Sequence, residues 1–324
     1  MGSTTVALIV AEGMVRIFAP HSRDQVVPGG MFAIDADLGW KLRPDRQFRH
    51  RTRYFDIQYS INSMGFRDHP REKANPMNKE RILFFGDSQI FGWGVDADDR
   101  ISNVIDTQHT LEIWNMAVPG YGLDQELISY ERDSASIGAT GVILFVSVFT
   151  IDRTRLGFMF RKPKPRFMLD SAGGLVLMRP RENASARTDV VYRLLSQFYL
   201  PYFVDGQLKR IRRRGRPSRA ALTELVPVSK EGLRLTEALL LRAKSIATAR
   251  NHRIVVLATL PPPSMKALKD FTDRNGIAIV PTPWTIAPPP LVLGKYDGHW
   301  NARGQAVVAA QLSPELHRAG NLSR

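Results

Sequence analysis

The sequence predicts an α/β protein in three layers, built on a five-stranded parallel sheet. Two observations point there. Short, nearly continuous apolar runs recur at 81–87, 111–118, 142–149, 253–260 and 277–281, and helix-period segments at 97–108, 124–137 and 264–275 lie between them. Strands buried on both faces read as such runs, and their alternation with helices calls for parallel, right-handed crossovers. A chain of 324 residues with 44% hydrophobic content can bury one large core, or one core and an appendage.

Residues 1–80 read as an irregular preface. Val6–Ala11 is apolar but stops at Glu12, far short of the roughly 20 residues of a membrane span, and no Lys or Arg precedes it. This stretch is either the end of a longer apolar anchor, which implies the cell envelope or periplasm, or an ordinary packed helix, which implies the cytoplasm. Tyr54–Ile61 alternates with period two and ends in Asn62-Ser63-Met64-Gly65, a strand and a turn.

The sheet begins at 81, and its first run delivers Gly86-Asp87-Ser88 onto a sharp turn. The second closes in Asn115-Met116-Ala117-Val118-Pro119-Gly120, and the third in Thr150-Ile151-Asp152. Between the third and fourth runs lie roughly 100 residues, far more than a helical crossover needs. Within them, Arg166–Met178 reads as a hairpin around Asp170–Gly174, followed by an aromatic helical pattern over Val190–Tyr199, interrupted at Pro201. The basic run Lys209–Arg216 comes next, and a helix over 230–250 returns the chain to the sheet. The expected organisation is an N-terminal extension packing on the core (1–80), the core itself (81–152 and 220–324) and a basic insertion or lid (153–219).

The net charge of +14 belongs almost wholly to that insertion, where 17 Lys and Arg face four acids, leaving the rest of the chain at +1. An anionic partner is therefore expected at 153–219 if anywhere: a lipid surface or polysaccharide, with nucleic acid disfavoured because no base-reading motif accompanies the charge. A solvated face is the plainer alternative. There are no cysteines, which excludes disulfides, a thiolate nucleophile and cysteine-based zinc sites, and the seven histidines show no metal-ligand spacing. Neither metal nor cofactor is called for.

In an open parallel sheet, ligands bind beyond the carboxyl ends of the strands, where the strand order reverses. Ser88 follows the first strand there. Far downstream, Asp297-Gly298-His299-Trp300-Asn301 places a carboxylate and an imidazole one residue apart, just before a helix over 302–312 that Asn301 caps. Serine, histidine and aspartate are the parts of an acyl-transfer triad. Each has a plainer reading: Ser88 as a helix cap, His299 as a packed core histidine, Asp87 as a turn-former, and Trp93 and Trp300 as core rather than pocket walls.

On these residues the chain resembles the SGNH, or GDSL-type, hydrolases, a flavodoxin-like α/β/α superfamily of esterases, lipases, thioesterases, carbohydrate O-acetyl esterases and some acyltransferases. Gly86-Asp87-Ser88 is similar to the first block of that family, implying Ser88 as nucleophile. Gly120 is similar to the second, implying an oxyanion donor beside the N–H of Ser88, and Asp297-Gly298-His299 to the last, implying His299 as base and Asp297 as its orienter. The Asp-x-His-Trp form is similar to that of bacterial polysaccharide-acetylation proteins. Leu38-Gly39-Trp40 and Ile61–Asp68 resemble the preface of larger envelope members. The likeness covers most of 35–315 but not the basic insertion.

One block departs. The family's third block carries Asn-Asp, whose asparagine donates to the oxyanion, and Ile151-Asp152 stands at the corresponding place. Isoleucine cannot donate. Either another group completes the hole, with Thr150 or Arg153 nearest and Thr150 assigned here beside Ser88 and Gly120, or the enzyme is slow, or the fold no longer catalyses. The resemblance implies a serine esterase or acyltransferase acting on an acyl ester, an acetyl ester first, of an envelope carbohydrate. The alternative is a catalytically impaired binding module for an anionic polysaccharide or membrane surface.

Overall fold

The computed structural model describes residues 2–24, 26–73, 75, 79–108, 111–159, 162–179, 197–213, 228–282, 291–294 and 297–320. The chain opens with α1 (Gly2–Phe18), then forms two hairpins, β1 (Phe32–Asp35) with β2 (Gly39–Leu42) and β3 (Arg46–Arg51) with β4 (Asp56–Ile61). The core follows as β5 (Glu80–Phe84), α2 (Ser88–Phe91), α3 (Ile101–Gln108), β6 (Leu111–Asn115), α4 (Leu123–Asp133), β7 (Gly141–Ser147) and α5 (Val148–Thr154). Next come the short pair β8 (Phe158–Met159) and β9 (Lys162–Pro163), the hairpin β10 (Arg166–Leu169) with β11 (Leu175–Met178), and α6 (Leu200–Arg213). The chain ends with α7 (Lys230–Ala249), β12 (Arg253–Thr259), α8 (Pro262–Arg274), β13 (Ala278–Pro281), β14 (Val292–Gly294), β15 (Asp297–Trp300) and α9 (Ala302–Gly320).

Five of these strands make one parallel sheet in the order β6-β5-β7-β12-β13. Strand order reverses between β5 and β7, so the loops leaving these two strands diverge and leave a crevice at their carboxyl ends. All seven residues of β7 are buried, as its unbroken apolar run requires at the centre of a sheet covered on both faces. The expected three-layer α/β/α architecture with a five-stranded parallel sheet is the observed one.

The apolar runs overshoot the strands at their carboxyl ends for a physical reason. At Ser147 the side chain accepts from the Thr150 amide and starts α5, so the run 142–149 is strand only as far as 147. Beyond Asn115 the side-chain oxygen of that residue accepts from the Ala117 amide and turns the backbone out of β6. The hairpin around Asp170 is present where expected, closed by Asp170 Oδ1 accepting from the Gly174 amide at 2.8 Å.

Three expectations change. The preface is not irregular: it holds a helix and two hairpins. Pro201 does not interrupt a helix but stands in the first turn of α6, where its missing N–H costs nothing, while the expected pattern over Val190–Tyr199 lies outside the described residues up to 196. The last helix runs past 312, through Pro314, to Gly320.

The preface also props up the sheet. Arg67, 2% exposed, reaches beneath α2 and donates to the carbonyls of Phe91 (3.1 Å), Gly92 (2.6 Å) and Val95 (2.7 Å). The first two are carbonyls at the end of the short helix α2, and the third belongs to the turn that follows it. Burial pushes the Arg67 guanidinium down to about 9, the adjacent Arg100 adding to the effect.

Candidate active site

Gly86 leaves β5 with its α-carbon against the Ile90 side chain, closer than any Cβ could sit, so the turn into α2 admits only glycine there. Asp87 caps the helix, its Oδ1 accepting from the Gln89 amide at 2.9 Å, and Ser88 stands at the first helical position.

His299 sits on β15, the outer strand of a hairpin with β14, rather than in a bare loop before the last helix. Its Nε2 lies 2.8 Å from Ser88 Oγ, and its Nδ1 lies 2.6 Å from Asp297 Oδ1. With Asp297 accepting from Nδ1–H, the Nε2 that faces Ser88 Oγ is the acceptor nitrogen of the ring. Asp297 also accepts from the His299 amide at 3.1 Å, which holds the two residues in one tight turn. Burial raises the Asp297 carboxyl, but the hydrogen bond and charge of His299 outweigh it and hold the group below its ordinary value.

Trp93 and Gln89 fix the imidazole against Ser88. Trp93 stacks on His299 with ring centroids 5.3 Å apart and planes 24° from parallel. Gln89 clamps the two loops: its Oε1 accepts from the Trp300 amide at 2.9 Å and its Nε2 donates to the Gly298 carbonyl at 3.2 Å. Trp300 packs edge-on to Phe145 and belongs to the core. Asn301 caps α9, its side chain accepting from the Gly304 amide at 3.0 Å.

Gly120 lies in the loop after β6 with a φ of 87°, a conformation that favours glycine, in a segment tied to the nucleophile turn by the Val118 amide donating to the Gly86 carbonyl at 3.1 Å. Thr150 lies elsewhere. Its hydroxyl donates to the Ser147 carbonyl at 3.0 Å and accepts from the Ser147 amide at 2.8 Å, so it is spent on capping α5. Ile151 points the other way too, its Cγ2 packing against Gly232 of α7.

The α5 residues that line the cavity are Phe149 and Arg153, one turn apart, together with Asp87, Ser88, Gln89, Asp297, Gly298 and His299. Two residues on from Phe149, Ile151 falls on the opposite face of the helix. Arg153 Nη1 donates to Asp87 Oδ2 at 2.6 Å and to the Tyr121 carbonyl at 3.3 Å, bridging the residue before Ser88 to the residue after Gly120. Its Nε and Nη2 make no hydrogen bond among the described residues. The cavity these groups enclose is about 190 Å³.

Arg153 is held from behind by Lys164, which is fully buried and donates to the carbonyls of Arg153 (3.2 Å), Leu156 (3.1 Å) and Pro165 (2.8 Å) and to the Asp124 carboxylate. Burial raises the Asp124 carboxyl to about 6 against the pull of Lys164. Glu126, on the same helix, is buried with Oε2 accepting from the Phe145 amide at 3.1 Å and Oε1 unpartnered among the described residues. Its carboxyl is pushed well above the ordinary range, first by burial and then by the negative charges of Asp87 and Asp124. Part of the cationic excess of 153–219 is thus internal: Arg153, Lys162 and Lys164 are built into the structure. Among the described residues, no group of three or more His, Asp or Glu is placed to hold a metal ion.

Sequence reasoning did not single out Gln89 and gave Arg153 only as a neighbour of the third block. The available signal for Arg153 was Asp87, an acid placed to be buried on a strand-to-helix turn and therefore in need of a cation.

No protein-family profile and no curated protein matches the chain. Among solved structures it is similar to a GDSL-like lipase from Bacteroides thetaiotaomicron VPI-5482 (12% identity, covering 77% of this chain and 93% of that one, TM-score 0.39). It is also similar to the psychrotrophic esterase EstA from Pseudoalteromonas sp. (10% identity, 75% and 99% covered, TM-score 0.39). A third is a carbohydrate esterase family 2 enzyme with a carbohydrate-binding domain from Corynascus thermopiles (Myceliophthora fergusii), at 12% identity, with 82% and 73% covered and a TM-score of 0.40.

Proposed function

We propose that this protein is a serine esterase or acyltransferase working through a covalent acyl-serine. The observation that carries the reading is the continuous relay Asp297–His299–Ser88, with contacts of 2.6 and 2.8 Å. Ser88 Oγ attacks the ester carbonyl and its proton passes to His299 Nε2. Asp297 holds the imidazole in the required tautomer and stabilises the cation that forms. The negative charge on the carbonyl oxygen falls to the backbone N–H groups of Ser88 and Gly120. The alkoxide leaves with the proton from His299, and water or an acceptor hydroxyl, deprotonated by the same imidazole, then takes the acyl group.

Arg153 is the group we assign to the place that Thr150 and Ile151 leave open. One of its nitrogens is anchored on Asp87 and Tyr121, its other donors make no hydrogen bond among the described residues, and it lines the same cavity as Ser88, which supports it as a donor to the oxyanion. Acetyl is the acyl group we take as the first to test. The Asp297-Gly298-His299-Trp300 form, similar to that of bacterial polysaccharide-acetylation proteins, supports a carbohydrate of the cell envelope as the alcohol side of the ester.

Labelling with a fluorophosphonate probe, together with hydrolysis of p-nitrophenyl acetate, tests the reading, with Ser88→Ala as the control. A binding module with the same fold would take up neither reagent.

A further inference from the structure

We propose that α1 and α6 together form a docking surface for an anionic lipid bilayer. No described helix is long and apolar enough to cross a membrane. On α1, Ile9, Ile17 and Phe18 are 67%, 72% and 79% exposed, and of its 17 residues only Val15 is buried. A helix that is apolar around most of its circumference and carries only Glu12 and Arg16 as charges is ordinarily covered by something.

The second half of the surface is α6. Val204, Leu208 and Ile211, spaced by four and three residues, share one helical face and are 45%, 47% and 63% exposed. The same helix carries Lys209, Arg210, Arg212 and Arg213 in its last two turns. Apolar residues on one face combined with a cluster of cations is the composition of an interfacial helix on anionic lipid.

The two helices are joined by specific contacts. Glu12 caps α6, its carboxylate accepting from the amides of Tyr199 (2.9 Å) and Leu200 (2.9 Å). Arg16 pairs with Glu12 at 2.7 Å, donates to the Gln197 carbonyl at 3.0 Å and lies over the Tyr199 ring. The only two charges of α1 are thus consumed in holding α6, which leaves its apolar residues facing outward.

Charge decides the occupant. A second copy of the chain would bring two arginine-rich helices together, whereas an anionic bilayer satisfies both the apolar residues and the cations. The segment that follows α1 also connects, through Arg53 and Phe55, to the ring that stacks on His299. Asp24, just after α1, accepts from Arg53 Nε at 2.5 Å, and Phe55, two residues on, meets Trp93, the ring that stacks on His299. Docking through these helices would hold the Ser88 cavity at a fixed place relative to the lipid surface.

The test is co-sedimentation of the full chain with phosphatidylglycerol/phosphatidylcholine vesicles and with pure phosphatidylcholine vesicles, at low and high salt. Two double variants accompany the wild type: Ile17→Ser with Phe18→Ser, and Leu208→Ser with Ile211→Ser. These side chains are exposed, and cooperative urea unfolding checks that the variants fold. The expected result is binding to the anionic vesicles that weakens with salt and falls by about tenfold or more in each double variant. No binding at low salt, or binding equal in wild type and both variants, overturns the proposal. So does a wild-type dimer in sedimentation equilibrium that the variants dissolve, since the covered surface would then belong to a second copy.

Discussion

Arg153 donates to Asp87 at 2.6 Å, so the cation that lines the cavity is anchored on the residue immediately before Ser88. Because the same nitrogen reaches the Tyr121 carbonyl, one side chain sets the spacing between the Ser88 turn and the Gly120 loop. Asp87 is 1% exposed, and Arg153 is the cation paired with its carboxyl group. In the proposed mechanism Arg153 therefore has two duties, positioning the backbone donors and donating to the oxyanion itself.

Arg153→Ala should lower kcat on a small activated ester by about 10² to 10³, the value of one oxyanion donor, with a much smaller change in KM. Arg153→Lys should recover part of the loss, since an ammonium can meet Asp87 but cannot also present the rest of a planar fork. Steady-state kinetics of the three proteins checks this. An unchanged kcat in Arg153→Ala would remove Arg153 from the reaction.

Ile151→Asn should bring no gain in turnover. The side chain packs on Gly232 of α7, so the substitution buries an amide without partners, costing about 1–3 kcal/mol beyond the packing it loses. Urea unfolding alongside p-nitrophenyl acetate kinetics separates the outcomes. A rise in kcat would return Ile151 to the oxyanion hole and would contradict the placement of α5.

These two residues also show where the sequence stops being legible. Ser88, Asp297 and His299 could be found because each sits in a short motif whose chemistry is recognisable one residue at a time. The strand positions followed from apolar runs whose only possible home is a covered sheet. Arg153 and Ile151 could not be told apart, because Val142–Phe149 is uniformly apolar and offers no marker for where the strand ends and the helix phase begins. Ser147 sets that phase by capping α5, and a cap depends on backbone geometry. Contacts such as Glu12 on Tyr199 join segments 187 residues apart, and no local pattern announces them.

Lys164→Met should destabilise the fold by about 3–5 kcal/mol, because it strands Asp124 in the core and leaves the carbonyls of Arg153 and Leu156 without their donor. Adding Asp124→Asn should recover much of the loss. Denaturant midpoints of the two single variants and the double variant give the coupling directly. Additive costs would show that the pair does not act as a unit.

Glu126 should make stability fall as pH rises. Its folded carboxyl is held well above the ordinary value of 4.5 by burial and by neighbouring carboxylates. The folded protein therefore keeps a proton that the unfolded chain releases, and its contribution is full below that pH and is lost as pH climbs toward the folded value. Asp124, raised to about 6, slopes the same way between its ordinary value and about 6. Urea midpoints between pH 5 and 8 should decline less steeply for Glu126→Gln than for wild type. Parallel profiles would mean that the Glu126 carboxyl is not protonated in the folded state.

The central claim is that Ser88 is a nucleophile activated by His299, and the most direct measurement is covalent labelling by a fluorophosphonate, read by intact mass and by the modified peptide. The account predicts one adduct per chain, on Ser88, absent in Ser88→Ala, strongly slowed in His299→Ala and less severely in Asp297→Asn. Wild-type protein that stays unlabelled, or an adduct that persists in Ser88→Ala, would contradict it.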